Sequence, residues 1–70
     1  MKISARNQLE GTVESVSLGA VMAEIVVRLN SGEHVVSAIT AESANRLQLS
    51  PGKRVVAIIK STEVMIGVEE

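Results

Sequence analysis

Two segments near the C-terminal end of the chain are apolar on both faces of the strands that they predict. Residues 54–60 (RVVAIIK) and 63–68 (EVMIGV) lack the polar alternation of a strand with one solvated face. A strand buried on both faces needs a covering layer on each side. A chain of 70 residues buries only about 60% of its unfolded surface, so we expect another subunit to supply part of that cover.

The composition also favours oligomerisation. The chain has no Cys, one His and no Phe, Tyr or Trp, although 46% of its residues are hydrophobic. The lack of Cys excludes disulfides and thiolate metal sites, and it leaves a structural zinc site without enough ligands. Small domains without such constraints are often stabilised by association. We therefore expect large apolar patches that form interfaces between subunits.

The charge balance argues against a nucleic-acid or membrane partner. Seven basic and eight acidic residues are mixed along the chain, and the net charge is −1. A nucleic-acid module would show a basic surface or stacking aromatic rings. The apolar runs are much shorter than the ~20 residues that cross a bilayer, and residues 1–4 (MKIS) lack an apolar signal core. We predict a soluble, cytoplasmic protein.

Period-two alternation and turn residues predict five strands and one helix in a single domain. Residues 30–32 (NSG) are typical of a tight hairpin, Thr40 is expected to cap the helix, and residues 51–52 (PG) suit a type II turn. This order predicts an all-β fold with one short helix, a five-stranded OB-like β-barrel. A plain β-sandwich is the alternative. The predicted strands are 8–17, 21–29, 33–40, 54–60 and 63–68, and the predicted helix is 41–47.

Three further residues are expected to have a specific structural role. Gly11, inside the first strand, indicates a bulge or the close approach of another backbone. Ala44 and Leu47 are expected to pack the helix against the sheet.

The sequence shows no catalytic set. His34 is the only imidazole, and at a strand start it is most simply a solvated side chain. No Ser-His-Asp or Cys-His arrangement and no phosphate-binding loop of the Walker type is present. The carboxylates stand singly, apart from Glu69 and Glu70. We predict that the protein is not an enzyme.

Two stretches rich in hydrogen-bond donors point to an oxyanion. Ser4 and Arg6 are two residues apart, so they point the same way in an extended segment. Lys60 follows an apolar run and is followed by Ser61, so its stem can be buried while its ammonium reaches a pocket. Taken singly, Arg6 and Lys60 are each more typical of solvated surface cations. Asn7 and Gln8 are expected to fix the path of the first stretch.

A family resemblance joins these stretches. Residues 4–13 (SARNQLEGTV) resemble the opening signature of the molybdate-binding Mop (molbindin, TOBE-type) family. Residues 57–66 (AIIKSTEVMI) resemble its closing motif, and residues 36–40 (VSAIT) resemble a segment between them. The resemblance covers essentially the whole chain. Two separated motifs at the expected distance are more specific than either alone.

The resemblance implies a β-barrel with swapped or shared strands, assembled as a homohexamer (a trimer of dimers). It implies molybdate or tungstate as the bound ligand, held at subunit interfaces, and no bare metal cation. A second type of anion site near the symmetry axis has no residues that we can assign. The molybdate-binding residues carried over are Ser4, Ala5 (through its backbone amide), Arg6, Thr40, Lys60 and Ser61.

The expected function is therefore intracellular molybdate binding for storage, buffering or homeostasis of molybdenum. The alternative is a structural OB-like oligomerisation module without a working anion site. An OB-type nucleic-acid binder is a third hypothesis, which the composition disfavours. Because the opening stretch looks incomplete by itself, we expect Lys60 and Ser61 to reach it from another subunit.

Overall fold

The computed structural model describes residues 1–69, which form one antiparallel sheet and one short helix. The sheet order is β3-β2-β1-β4. No helix in residues 1–69 is long and apolar enough to cross a membrane. The elements, in chain order, are β1 (Asn7–Leu18), β2 (Met22–Leu29), β3 (His34–Thr40), α1 (Ala41–Arg46), β4 (Arg54–Ile59) and the 3-10 turn η1 (Ser61–Glu63).

The turn residues form the turns that the sequence predicts. Gly32 has φ +97° and donates its N–H to the Leu29 carbonyl at 2.8 Å, which closes the β2–β3 hairpin. Gly52 has φ +96°, and the Lys53 N–H donates to the Ser50 carbonyl at 3.1 Å. A positive φ at the third position is what a type II turn requires, and glycine adopts it without strain. Both turn predictions are confirmed.

β1 is the central strand, and it bends so that β4 and β2 pair with different parts of it. β4 pairs with residues 7–12 and β2 with residues 11–18, with a register shift between Val13 and Ser15. Such a bulge sharpens the bend of a strand. A Cβ atom on Gly11 would lie 2.6 Å from the Arg28 carbonyl oxygen, which confirms that another backbone approaches here.

The core lies on the concave face of the bent sheet. α1 closes one end of this face through Ala44, which is 2% exposed. Leu47, the other packing residue that we expected, is instead 52% exposed because it follows the last helical turn as the C-cap. The buried residues are Val13, Ala23, Ile25, Val27, Leu29 and Ala44.

The predicted fifth strand, residues 63–68, is not formed in this chain. Ser61–Glu63 is a 3-10 turn, and residues 64–69 pair with no strand. Their side chains are largely solvent-exposed, with Met65 at 93% and Ile66 at 87%. The apolar residues of this segment have the composition of a strand. A strand also needs a neighbouring backbone with which to pair, and the 3-10 turn leads this segment away from β4.

The result is a four-stranded half-barrel. The all-β class with one short helix is confirmed, and the single sheet excludes the β-sandwich alternative for residues 1–69. β3 and β4 each pair on one side only. The concave face between them is therefore an open groove.

Candidate oxyanion-binding site

The β1–β4 ladder brings the opening and closing motifs of one chain side by side. Asn7 lies opposite Ile59 in the last described pair of this ladder. Arg6 directly precedes Asn7, and Lys60 directly follows Ile59. Both residues therefore lie at the end of the ladder, where the two strands leave the sheet. This corrects our expectation that Lys60 reaches the opening stretch only from another subunit, because the β1–β4 ladder of one chain ends with Arg6 and Lys60 each one residue beyond the same pair. The expectation for Ser61 stays a prediction.

The opening stretch is held by a local side-chain bond. The chain bends at Ser4, and Gln8 Nε2 donates to the Ala5 carbonyl at 2.6 Å. Ser4 and Arg6 are exposed, whereas Ala5 is half-buried. The expectation that Gln8 fixes the path of this segment is confirmed.

The closing stretch turns sharply at the end of β4. Lys60 precedes the 3-10 turn, and its carbonyl accepts the Glu63 N–H at 2.9 Å. Lys60 and Glu63 lie at one end of the concave groove, whose volume is about 470 Å³. Most other lining side chains are aliphatic, so the Lys60 stem has an apolar surface to lie against while its ammonium reaches solvent.

Arg6 and Lys60 take part in neither of the two side-chain contacts of salt-bridge length found in residues 1–69. Both pairs use Glu14, which lies 3.8 Å from Arg28 Nε and 3.0 Å from His34 Nε2. His34 is partly solvated, as expected, but its pairing with Glu14 was not foreseen. Two adjacent cations without a carboxylate partner attract an anion. No cluster of three or more His, Cys, Asp or Glu residues that could hold a metal ion occurs in residues 1–69.

Thr40 lies away from the other candidate residues. It ends β3 and pairs with Met22, near the C-terminal end of β1, whereas Arg6 and Lys60 are at the N-terminal end of β1. The twelve residues of β1 separate the two ends by about 35 Å along the strand. Within one chain, Thr40 cannot share an anion with Arg6 and Lys60.

The Thr40 hydroxyl has a structural role in the single chain. Its Oγ1 accepts the Ser43 N–H at 3.1 Å and donates to Ser43 Oγ at 2.8 Å, which caps α1 as expected. We predict that Thr40→Ala lowers the free energy of unfolding by about 1 kcal/mol, measured by denaturant unfolding without anion. Thr40→Ser, which keeps the hydroxyl, is the control. Equal stability of the alanine and serine variants would contradict the capping role.

Comparison with known proteins places the chain in a family. The TOBE domain family matches residues 3–66. The chain belongs to the TOBE domain family. Among curated relatives, the molybdenum-pterin-binding protein 3 of Clostridium pasteurianum is 47% identical over 66 residues, which are 94% of this chain and 97% of the relative. The resemblance to the Mop proteins is thereby confirmed.

Two solved structures of similar proteins show the same fold. A molybdate-binding protein from Sporomusa ovata is 46% identical, with a TM-score of 0.90 over 97% of this chain and all of that one. The cytoplasmic molybdate-binding protein ModG, solved with molybdate bound, is 49% identical, with a TM-score of 0.84 over 87% of this chain. This chain covers 43% of ModG, so it corresponds to less than half of that protein.

Proposed function

We propose that this TOBE-family protein binds molybdate, and the near-isosteric tungstate, and serves the storage, buffering or homeostasis of molybdenum. The observation that carries the proposal is the β1–β4 register, which makes Arg6 and Lys60 neighbours in a chain whose relatives are named for binding molybdate or a molybdenum pterin. The compartment is the cytoplasm, as it is for ModG.

The chemistry of the candidate residues suits a tetrahedral dianion. Molybdate offers four acceptor oxygens and carries no proton at neutral pH, so the site needs only donors. Arg6 and Lys60 balance its two charges, and charge-assisted hydrogen bonds are the stronger kind. The hydroxyls of Ser4 and Ser61 and the backbone N–H of Ala5 complete the donor set. An all-donor site disfavours phosphate, which carries a proton at neutral pH, and a pocket sized for molybdate disfavours the smaller sulfate.

The bare oxyanion fits this chain better than a pterin does. Sites for planar heterocycles are commonly lined by aromatic and apolar side chains with a few converging polar groups. The chain has no aromatic residue. Its groove is lined mainly by Val, Ile and Leu side chains, with Lys60 and Glu63 at one end. We therefore assign the site to the inorganic anion.

We further propose that the protein is a homohexamer built from three dimers. The open groove between β3 and β4 is apolar, and so are the exposed residues 64–68. Packing residues 64–68 of one chain into the groove of another would remove both apolar surfaces from water. Residues 64–68 of one chain then supply the fifth strand of another. Because Thr40 is far from Arg6 and Lys60 within one chain, it would join the site from a different chain, and the complete site that we propose lies at a subunit interface.

The test is calorimetric titration of the purified protein with molybdate, tungstate and sulfate. We expect heat and saturation with molybdate and tungstate, and little response to sulfate. An assembled protein that gives no heat with molybdate would contradict the proposal. That result would instead support the structural oligomerisation module, for which the exposed segment 64–68 is the supporting observation because it needs no anion to bind a neighbour.

A further inference from the structure

Gln8 holds the backbone of the opening stretch from the outer side of β1. Its Nε2 donates to the Ala5 carbonyl at 2.6 Å, across three residues. The bond spans Arg6 and follows the bend at Ser4. Ala5 and Arg6 precede β1, so no strand ladder fixes the peptide between them. The side chain of Gln8 fixes it instead, through its hydrogen bond to the Ala5 carbonyl.

This hydrogen bond orients one particular peptide plane. The peptide between Ala5 and Arg6 is trans, as are the others in residues 1–69, so its N–H points opposite to its carbonyl. Because Gln8 holds the carbonyl on its own side, the Arg6 N–H faces away from Gln8. That N–H is the donor in none of the turn and loop backbone hydrogen bonds of residues 1–69.

On the basis of the proposed oxyanion function, we propose that Gln8 is a positioning residue that turns the Arg6 N–H toward the anion. A carbonyl oxygen in the same place would repel the dianion, so the direction of this peptide matters for binding. A segment without the Gln8 bond would sample both directions, and ordering it would then be part of the cost of binding. Donors fixed before the anion arrives avoid that cost.

The exposure of Gln8 allows its role in binding to be separated from folding. Gln8 is an exposed residue whose bond orders the stretch that precedes β1 and lies outside the packed core, so the local order of this stretch can be lost without unfolding the sheet. Removing the Gln8 donor should therefore change the opening stretch without unfolding the half-barrel.

The experiment compares Gln8→Met with Gln48→Met. Both remove an amide and keep the side-chain length, but Gln48 follows α1 and lies outside the opening and closing motifs. We expect Gln8→Met to raise the Kd for molybdate about tenfold, the effect of losing roughly one hydrogen bond, with unchanged melting temperature and assembly mass. Gln48→Met should bind as the wild type does. In NMR spectra, molybdate should shift the Arg6 amide resonance strongly in the wild type and weakly in Gln8→Met.

The outcomes distinguish this inference from the proposed function. Molybdate binding by the wild type together with unchanged binding by Gln8→Met would overturn the positioning role alone. Absence of binding by the wild type would overturn the proposed function, and the positioning role with it. If Gln8→Met lowers the melting temperature, Gln8→Leu decides, since leucine is neutral, as glutamine is, and cannot donate. Wild-type affinity in Gln8→Leu would then overturn the proposal, and a loss of about tenfold would support it.

Discussion

Arg6→Ala and Lys60→Ala are each expected to weaken molybdate binding by about 30-fold or more. Removing one partner of a hydrogen-bonded charge pair costs about 2 kcal/mol or more, which corresponds to that ratio. The β1–β4 register makes the two residues neighbours. In the proposed site both cations contact the same anion, so the double variant should show no saturable binding. Calorimetric titration of the single and double variants measures these losses.

Arg46→Ala provides the matched control for the charge change. Arg46 lies in the last turn of α1, outside both motifs, and its loss alters the net charge as Arg6→Ala does. We expect Arg46→Ala to retain wild-type affinity. If all three single variants bind alike, long-range charge explains any effect and the assignment of Arg6 and Lys60 is wrong. The melting temperatures should stay close to that of the wild type, because Arg6 and Lys60 are exposed.

Ile66→Asp is expected to dissociate the assembly. Ile66 is 87% exposed in the single chain, and our proposal buries it in the groove of another subunit. A carboxylate in an apolar interface loses its hydration without gaining a partner, which is strongly unfavourable. Light scattering should show the particle mass falling from that of an oligomer to that of a single chain, and molybdate binding should weaken with it because Thr40 no longer reaches the site.

Ile66→Val is the control for this substitution. Valine keeps the apolar character and the strand preference of the position, so the oligomer mass should be unchanged. A single-chain particle in the wild type would contradict the proposed assembly directly. A full-sized oligomer formed by Ile66→Asp would show that residues 64–68 do not form the interface.

Local patterns in the sequence determine most of the half-barrel. The turns at Gly32 and Gly52 need a positive φ that glycine adopts freely. The Thr40 cap depends on a hydroxyl three positions before Ser43, whose N–H it accepts. These signals involve residues within a few positions of one another, so they can be found without knowing the fold. The ends of the four observed strands differ from the predicted ends by at most one residue.

The errors concern contacts between distant parts of the chain. Residues 64–68 have the composition of a strand, but composition does not say which backbone will pair with them. Arg6 and Lys60 are neighbours because of the register of β1 against β4, although about fifty residues separate them in the sequence. Family motifs identified both residues, whereas only the ladder shows that one chain brings them together. The pairing of Glu14 with His34 also crosses strands, and no local pattern indicated it.

In the proposed oligomer, the open edges of β3 and β4 make the behaviour of the protein dependent on its own concentration. An unpaired strand edge is a template for another chain, and whatever binds only the assembled state also stabilises that state by mass action. In the proposed assembly, dilution separates the chains and removes Thr40 from the anion. A cell that makes less of this protein would therefore lose anion capacity faster than it loses protein, and molybdate would be released as the protein becomes scarce.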